Sequence, residues 1–379
     1  MDATGAVEMN SPTCLVVFPY DCHASGGIRN AAVGLVRTLV HAGCPVDVAS
    51  PRSGNPFEGK TTELGGAKVR AFHYYERGCR DMAEHIAPDV DFIFLWWCTG
   101  DSARFAETAK KRGLPYLWYS GGVFQCRSVI KYPFQIAYLN FSGFAKSAAA
   151  FVVPTISELS QARRILPTFK EKAICIPHEI PPAVGKPPIH VSTSSIATVG
   201  YLGRIDINQK GLDILVKAVI PFASEQKCRL VIGGPDYHGG IAELKRLIPP
   251  NLLKKRDILF SGPVYGAAKD HWFDMIDVYI QASRYEGFGI TIAEAMQRGK
   301  PLILSRKCNI AAEVIAAGAG FGCQPRVGSV RSAIETALRT PPEELRRMGE
   351  AGRRWVEGNC NIDVVTEKTM RLIQAIAQR

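Results

Sequence analysis

The chain has 379 residues, of which 46% are hydrophobic and 21% charged, and a formal net charge of +11. That length exceeds one ordinary hydrophobic core, so two domains are expected, and the composition excludes a disordered or fibrous protein. No apolar run approaches the roughly 20 residues of a membrane span, and the N-terminal Met-Asp-Ala-Thr-Gly-Ala-Val-Glu has neither the basic region nor the apolar core of a signal peptide.

In chain order, Cys14 to Phe18 is a short apolar run that predicts a first strand. A helix follows to about Ala42, with Val33, Val36, Leu39 and Val40 on one face. Between them lies Gly26-Gly27, so strand, glycine turn and helix N-terminus form a cradle suited to a phosphate. His23 and Arg29 flank it. Further strands are expected at Pro45 to Ala49, Ala67 to Phe72, Val90 to Trp96, Leu117 to Tyr119, Phe151 to Pro154 and Ala173 to Ile176, with helices between, one over Ser102 to Arg112. That alternation predicts a doubly wound parallel sheet. Asp89-Val-Asp91 has the spacing of a two-carboxylate metal motif but stands ahead of its strand, at the wrong end of a sheet for a site, and reads as a solvated turn. Residues 101–172 hold eleven Lys/Arg and four Asp/Glu, a net +7. Those cations are not interleaved with aromatics, which argues against nucleic acid and leaves an anionic membrane surface, an anionic acceptor or plain solubility as the use of that charge.

Residues 177–190 contain five prolines, a linker composition. They divide the chain into domains 1–183 and 191–360, with the closing helix 361–379 expected to pack back on the first. The second domain restarts with a strand, Ala197 to Leu202. Its following loop carries Arg204 and Lys210 into a helix N-terminus, a planar fork and a mobile point charge for a phosphate. Arg229 to Ile232 is a strand ending in Gly233-Gly234, and Ile258 to Tyr265 is a strand and loop. His271 to Asp277 reads as a core-facing helix. Val278 to Ala282 is a buried strand, Ser283 to Gly289 a turn-rich loop, and Thr291 with Glu294 a capping box opening a helix closed by Gly299 and Pro301. Leu302 to Ser305 is the next strand. Helices are expected at Ala311 to Ala316, Val330 to Leu338, Glu343 to Glu357 and Asp363 to Gln378. Ligands of parallel sheets sit at the carboxyl ends of strands, where Glu286 and Glu294 place two acceptor carboxylates beside an anion-binding helix end. Such a pair suits a ligand bearing both phosphate and hydroxyls. The eleven cysteines stand singly with no C-x-x-C pair, which reads as buried free thiols in a reducing cytoplasm and offers no zinc motif.

Glu286 and Glu294, with seven residues between them inside Ser283-Arg-Tyr-Glu-Gly-Phe-Gly…Glu-Ala-Met…Gly-Lys-Pro301, resemble the E-x7-E motif of retaining GT-B glycosyltransferases, in particular glycosyltransferase family 4 (group 1). Gly203-Arg…Lys210-Gly-Leu-Asp213 resembles that family's diphosphate-binding segment. The resemblance implies two Rossmann-like doubly wound domains facing across a cleft. It also implies transfer of a hexosyl group from a nucleoside diphosphate sugar, GDP-mannose or a UDP-hexose, to a hydroxyl. By the same resemblance Arg204 and Lys210 bind the diphosphate and Glu294 the ribose hydroxyls. Glu286 binds sugar hydroxyls with backbone N–H groups of Gly287, Phe288 and Gly289. Gly233, Gly234 and Val264 lie against the nucleotide, and Gly26 and Gly27 against the diphosphate and acceptor. His23, Ser120 and Gly121 would stand on the acceptor side. Many relatives carry His-Gly where this chain has Ser120-Gly121-Gly122, pointing to a different acceptor geometry or to lost activity. Thr155-Ile-Ser-Glu158 resembles a further family segment, with Ser157 read as a helix cap. No cofactor or metal is implied beyond the sugar nucleotide as co-substrate. The acceptor class that fits the basic N-terminal half is a lipid-linked saccharide in polysaccharide or glycolipid assembly, met peripherally on a cytoplasmic membrane face. Rival readings are transfer to a soluble acceptor, a GT-B sugar-nucleotide epimerase, and a non-catalytic nucleotide-sugar binder.

Overall fold

Apolar runs of a few residues, too short for stable helices, pair side by side into two parallel sheets. The computed structural model describes residues 11–18, 20–23, 26–54, 58, 62–96, 100–120, 143–183 and 196–378. The chain divides into two compact units: Met1–Pro154, Leu159–Glu179 and Ile362–Arg379 make one, Thr155–Glu158 and Ile180–Asn361 the other.

In the first unit the strands are β1 (Cys14–Val17), β2 (Val46–Pro51), the short pair β3 (Glu63–Leu64) and β4 (Ala67–Lys68), β5 (Ala71–Tyr75), β6 (Phe92–Trp96), β7 (Tyr116–Tyr119), β8 (Ala150–Val153) and β9 (Ala173–Cys175). Seven form one parallel sheet in the order β5-β2-β1-β6-β7-β8-β9. Parallel neighbours need crossovers, and helices such as Gly27–His41 and Gly100–Lys111 supply them. The core centres on Trp118, Phe151 and Phe169, whose rings lie 4.5–5.4 Å apart. Helix Ile362–Ala377 belongs to this unit; His41 bonds Asp363 at 2.8 Å and Thr366 Oγ1 donates to Thr38 O at 3.4 Å.

Three expectations are corrected here. The strand expected over Ala67 to Phe72 is two elements: Ala67-Lys68 close an antiparallel hairpin with Glu63-Leu64, and the sheet strand starts at Ala71. Between them Arg70 leaves the strand to fork Asp47 through Nε and Nη2 at 2.7 and 2.6 Å. The cap of helix Ile156–Ile165 is Thr155, whose Oγ1 accepts from Glu158 N at 3.1 Å, and not Ser157. The proline-rich stretch also begins as packed chain: Ile176, His178, Glu179 and Ile180 are buried, and Glu179 pairs with Arg37. Its residues 184–190 lie outside the described residues. The paired aspartates act locally, Asp91 accepting from Thr13 N at 2.8 Å and Asp89 pairing with Arg70.

In the second unit the strands are β10 (Ala197–Leu202), β11 (Cys228–Gly233), β12 (Ile258–Gly262), β13 (Val278–Gln281), β14 (Leu302–Ser305) and β15 (Gly320–Cys323). All are parallel, in the order β12-β11-β10-β13-β14-β15. The glycine-rich β15 carries too little apolar pattern to be read from sequence. Both sheet faces are covered: Leu215, Val219, Ile232 and Ile280 lie in one apolar layer, Trp272, Tyr279, Phe288 and Met296 in the other. No helix among the described residues is long and apolar enough to cross a membrane.

His178 lies with its ring 5.8 Å from that of Trp96, and burial pulls its pKa down to about 3 from 6.5. Below pH 6.5 the unfolded chain takes up a proton here that the folded chain refuses, so stability is lost as pH falls. The slope through this one group is about 1.4 kcal/mol per pH unit. Urea unfolding between about pH 6 and pH 4 should show that much of the slope removed in His178→Gln.

Candidate functional site

The order of the second sheet reverses between β10 and β13, and there the chain leaves the sheet in opposite directions, opening a crevice at the strand ends. The loops leaving those two ends carry Arg204 and Lys210 on one side and Glu286 on the other. Asp206 caps the short helix Ile207–Lys210 by accepting from Gln209 N at 2.9 Å. Gly211 follows with φ 64°, and a Cβ there would strike Ala282 O, so the β10 loop can lie directly on the end of β13. Arg284 locks the two loops together. Its N–H donates to Gln209 O at 2.9 Å and its guanidinium forks both oxygens of Asp213 at 2.8 Å. Burial raises the pKa of Asp213, but the Arg284 bonds outweigh it and hold that carboxyl below its usual range.

Lys210 Nζ meets Glu286 Oε2, and both side chains are largely sheltered. Gln281 Nε2 also donates to Glu286 Oε2 at 3.2 Å and to Ser283 Oγ at 2.9 Å. Gln281 is aligned in turn by Tyr279, whose hydroxyl lies 2.8 Å from Gln281 Oε1. Burial pushes the Tyr279 phenol well up, so it stays protonated and serves as a donor. The Glu286 backbone is clamped at both ends, its N–H donating to Lys307 O at 3.2 Å and its carbonyl accepting from Asn309 N at 3.0 Å.

Glu294 sits on helix Ile290–Gln297 and is more than nine-tenths buried. Lys269 Nζ donates to its Oε1 at 2.6 Å. Its Oε2 is buried with no hydrogen-bond partner, a costly arrangement for a carboxylate oxygen unless a ligand hydroxyl completes it. The expected capping box is not formed. Gly289 is the N-cap, without a side-chain bond, and Thr291 Oγ1 lies 3.1 Å from the Tyr279 hydroxyl while Glu294 faces Lys269. No side chain caps this helix start, although Ile292 N already donates to Gly289 O at 2.9 Å.

Arg204 is held on its own side of the crevice. Its Nη2 donates to Gln209 Oε1 at 3.0 Å, and its guanidinium lies 4.3 Å above the centre of the half-exposed Tyr237 ring. Gly233 ends β11 and Gly234 follows it, but the nearest reason for glycine is the protein itself. Gly203 N donates to Gly233 O at 3.0 Å, Gly234 N to Gly262 O at 2.8 Å, and a Cβ on Gly234 (φ 134°) would collide with Gly203 O. Phe288 turns its ring into the core at 2% exposure, leaving only its backbone for a ligand, while Gly287 stays in the loop and Val264 is half-buried against the same apolar layer.

The remaining expected residues belong to the first unit. Gly26 is the N-cap of helix Gly27–His41 with φ 146°, and His23 Nε2 lies 3.1 Å from the Tyr74 hydroxyl with its pKa lowered by burial. Arg29 is a tether, donating through Nε to Cys22 O at 2.8 Å. Ser120 is buried, its N–H donating to Val152 O at 3.0 Å, and Gly121 lies outside the described residues. Lys269, Tyr237, Gln281 and Arg284 were not singled out from sequence. Gln281 and Arg284 fall inside the strand and loop that were. Lys269, on helix Ala268–Asp274, and Tyr237, on a loop, meet these side chains from elsewhere in the second unit and leave no local pattern.

Residues 189–355 match the family described as "Glycosyl transferases group 1". An uncharacterized glycosyltransferase of Methanocaldococcus jannaschii is 30% identical over 105 residues, 28% of this chain and 26% of its own, so the match spans about a quarter of that relative's length. A glycosyltransferase from Rickettsia africae superposes with a TM-score of 0.76 at 18% identity, over 98% of this chain and 100% of its own. The Anabaena protein HepE, solved with UDP and glucose, superposes with a TM-score of 0.73 at 14% identity, over 96% and 100%. At these identities the superpositions show a shared fold, the two-domain α/β architecture of GT-B glycosyltransferases.

Tyr237 is a platform for Arg204, and a cation over an exposed ring contributes about 0.5–1 kcal/mol. Tyr237→Leu should therefore weaken binding of pyrophosphate about two- to fivefold by calorimetry, and Tyr237→Phe should restore it.

Proposed function

We propose that this chain is a retaining glycosyltransferase that moves a hexosyl group from a nucleoside diphosphate sugar, GDP-mannose or a UDP-hexose, to a hydroxyl of a lipid-linked saccharide. The observation that carries the reading is the pairing of each glutamate with a lysine from another element of the second unit, Lys210 of helix Ile207–Lys210 with Glu286 and Lys269 of helix Ala268–Asp274 with Glu294. The group 1 match over residues 189–355 and the UDP and glucose held by HepE support it.

On donor binding the diphosphate draws Lys210 away from Glu286 and accepts from Arg204. Glu286, released on one oxygen and still held by Gln281, turns to the sugar hydroxyls. Glu294 offers its unpartnered oxygen to the ribose hydroxyls. Fixed cations oppose the charge that grows on the phosphate as the bond from the anomeric carbon to the phosphate oxygen breaks. They take the place of a divalent ion there. The acceptor oxygen forms its bond to the same face of that carbon, and its proton passes to the departing phosphate oxygen, so configuration is retained and no protein base is needed. The basic stretch 101–172 would hold the enzyme at an anionic membrane surface, peripherally on the cytoplasmic face.

Each charged donor aimed at such a leaving group is worth roughly 2.7–4 kcal/mol in the transition state. Arg204→Ala and Lys210→Ala should each lower turnover about a hundredfold or more with the fold intact. A thermal-shift screen of UDP-, GDP-, ADP- and dTDP-sugars selects the donor for that assay, because a ligand of the native state raises its melting temperature. Undiminished turnover in either variant would refute the assignment.

A further inference from the structure

The turn after β5 in the first unit assembles three side chains that the transfer reaction does not use. Cys79 Sγ, a Glu84 carboxylate oxygen and a His85 ring nitrogen all lie within 4.8 Å of one another. The two neighbours on the 3-10 turn Ala83–His85 converge rather than diverge, with His85 Nε2 3.3 Å from Glu84 Oε1. A tetrahedral ion with bonds of about 2.0–2.3 Å spaces its ligand atoms about 3.3–3.6 Å apart. The nitrogen and oxygen already stand at that spacing, and the sulfur has no more than about 1.5 Å to close.

The turn that carries them is built rigidly. Met82 and Ile86, on either side of it, are buried at 0% and 2% exposure. Asp81 Oδ1 accepts from Ala83 N at 2.8 Å, and the Arg112 guanidinium forks the chain from behind, donating to Ile86 O at 2.7 Å and Ala83 O at 2.8 Å. Arg112 thus satisfies carbonyls and keeps its charge off the ligand atoms. His85 is half-sheltered beside the Tyr75 ring at 5.9 Å. Cys79 is half-buried, and its thiol donates to Asp81 O at 3.0 Å.

We propose that Cys79, Glu84 and His85 form a binding site for a borderline-soft divalent cation of the zinc class. One thiolate, one imidazole and one carboxylate suit zinc, whereas magnesium and calcium prefer all-oxygen shells. Three protein ligands leave a fourth position for water or an exchangeable group. Binding converts the Cys79 S–H to a thiolate, its proton passing to solvent, and replaces the thiol's bond to Asp81 O with a metal–sulfur bond.

The test uses the full chain, stripped with a chelator and titrated with cobalt(II), whose thiolate complexes absorb in the near ultraviolet. One equivalent should bind with a sulfur-to-cobalt band that zinc then abolishes. Cys79→Ala should lose the band, and Glu84→Gln, a change at an exposed side chain, should bind zinc about tenfold or more weakly in competition with a chromophoric chelator. No band in the wild-type chain overturns the proposal. So does a band that survives Cys79→Ala, which would come from another thiol, or zinc affinity unchanged in Glu84→Gln.

Discussion

Lys210 and Glu286 face each other across the crevice where the second sheet reverses its strand order, and the geometry of the site depends on that pair. Two charges this sheltered lose much of their hydration, and their attraction does not always repay the loss. Such a pair is a weak source of stability. Under the proposed donor binding it is a contact held ready for exchange, a phosphate taking the cation and a sugar hydroxyl the carboxylate. Lys269 and Glu294 repeat the arrangement one step along, with one carboxylate oxygen already lacking a partner. Both acids are thus oriented by cations that belong to other elements of the second unit.

Keeping such pairs in register requires loops to approach more closely than side chains usually allow. Gly211 lets the Lys210 turn rest on Ala282, and Gly234 lets the loop after β11 rest on Gly203. Arg284 then ties the turn down through Asp213 and Gln209. The site is accordingly built on strand ends cross-linked by polar bonds. Tyr279 and Gln281, side chains of β13 itself, extend that rigidity to the carboxylate of Glu286. Support of this kind holds a side chain within the small tolerance that the proposed transfer would need.

Much of this was legible from residue order. Continuous apolar runs between helices gave both parallel sheets, because such strands are covered on both faces. The Glu286–Glu294 spacing and the Arg204–Lys210 segment pointed to two stretches of the second unit, of which the fold brings Lys210 against Glu286. What escaped depends on tertiary proximity. Nothing local to Lys269 or Tyr237 tells that one meets Glu294 and the other carries Arg204. Gly233-Gly234 was read as room for a ligand, while the fold supplies a nearer demand in the Gly203 carbonyl. Thr291 and Glu294 have the spacing of a capping box, but Tyr279 and Lys269 offered each a better partner. Gly121 falls outside the described residues.

Helix Ile362–Ala377 packs with residues more than three hundred positions earlier, so the first unit is discontinuous in the chain. During synthesis the ribosome releases the whole of Ile180–Asn361 before it releases that helix. The second unit can therefore close on its own, while the N-terminal sheet waits with a face of helix Gly27–His41 still unpaired. The half of the molecule made first is the half finished last, and it is the half that has to be shielded from aggregation in the interval.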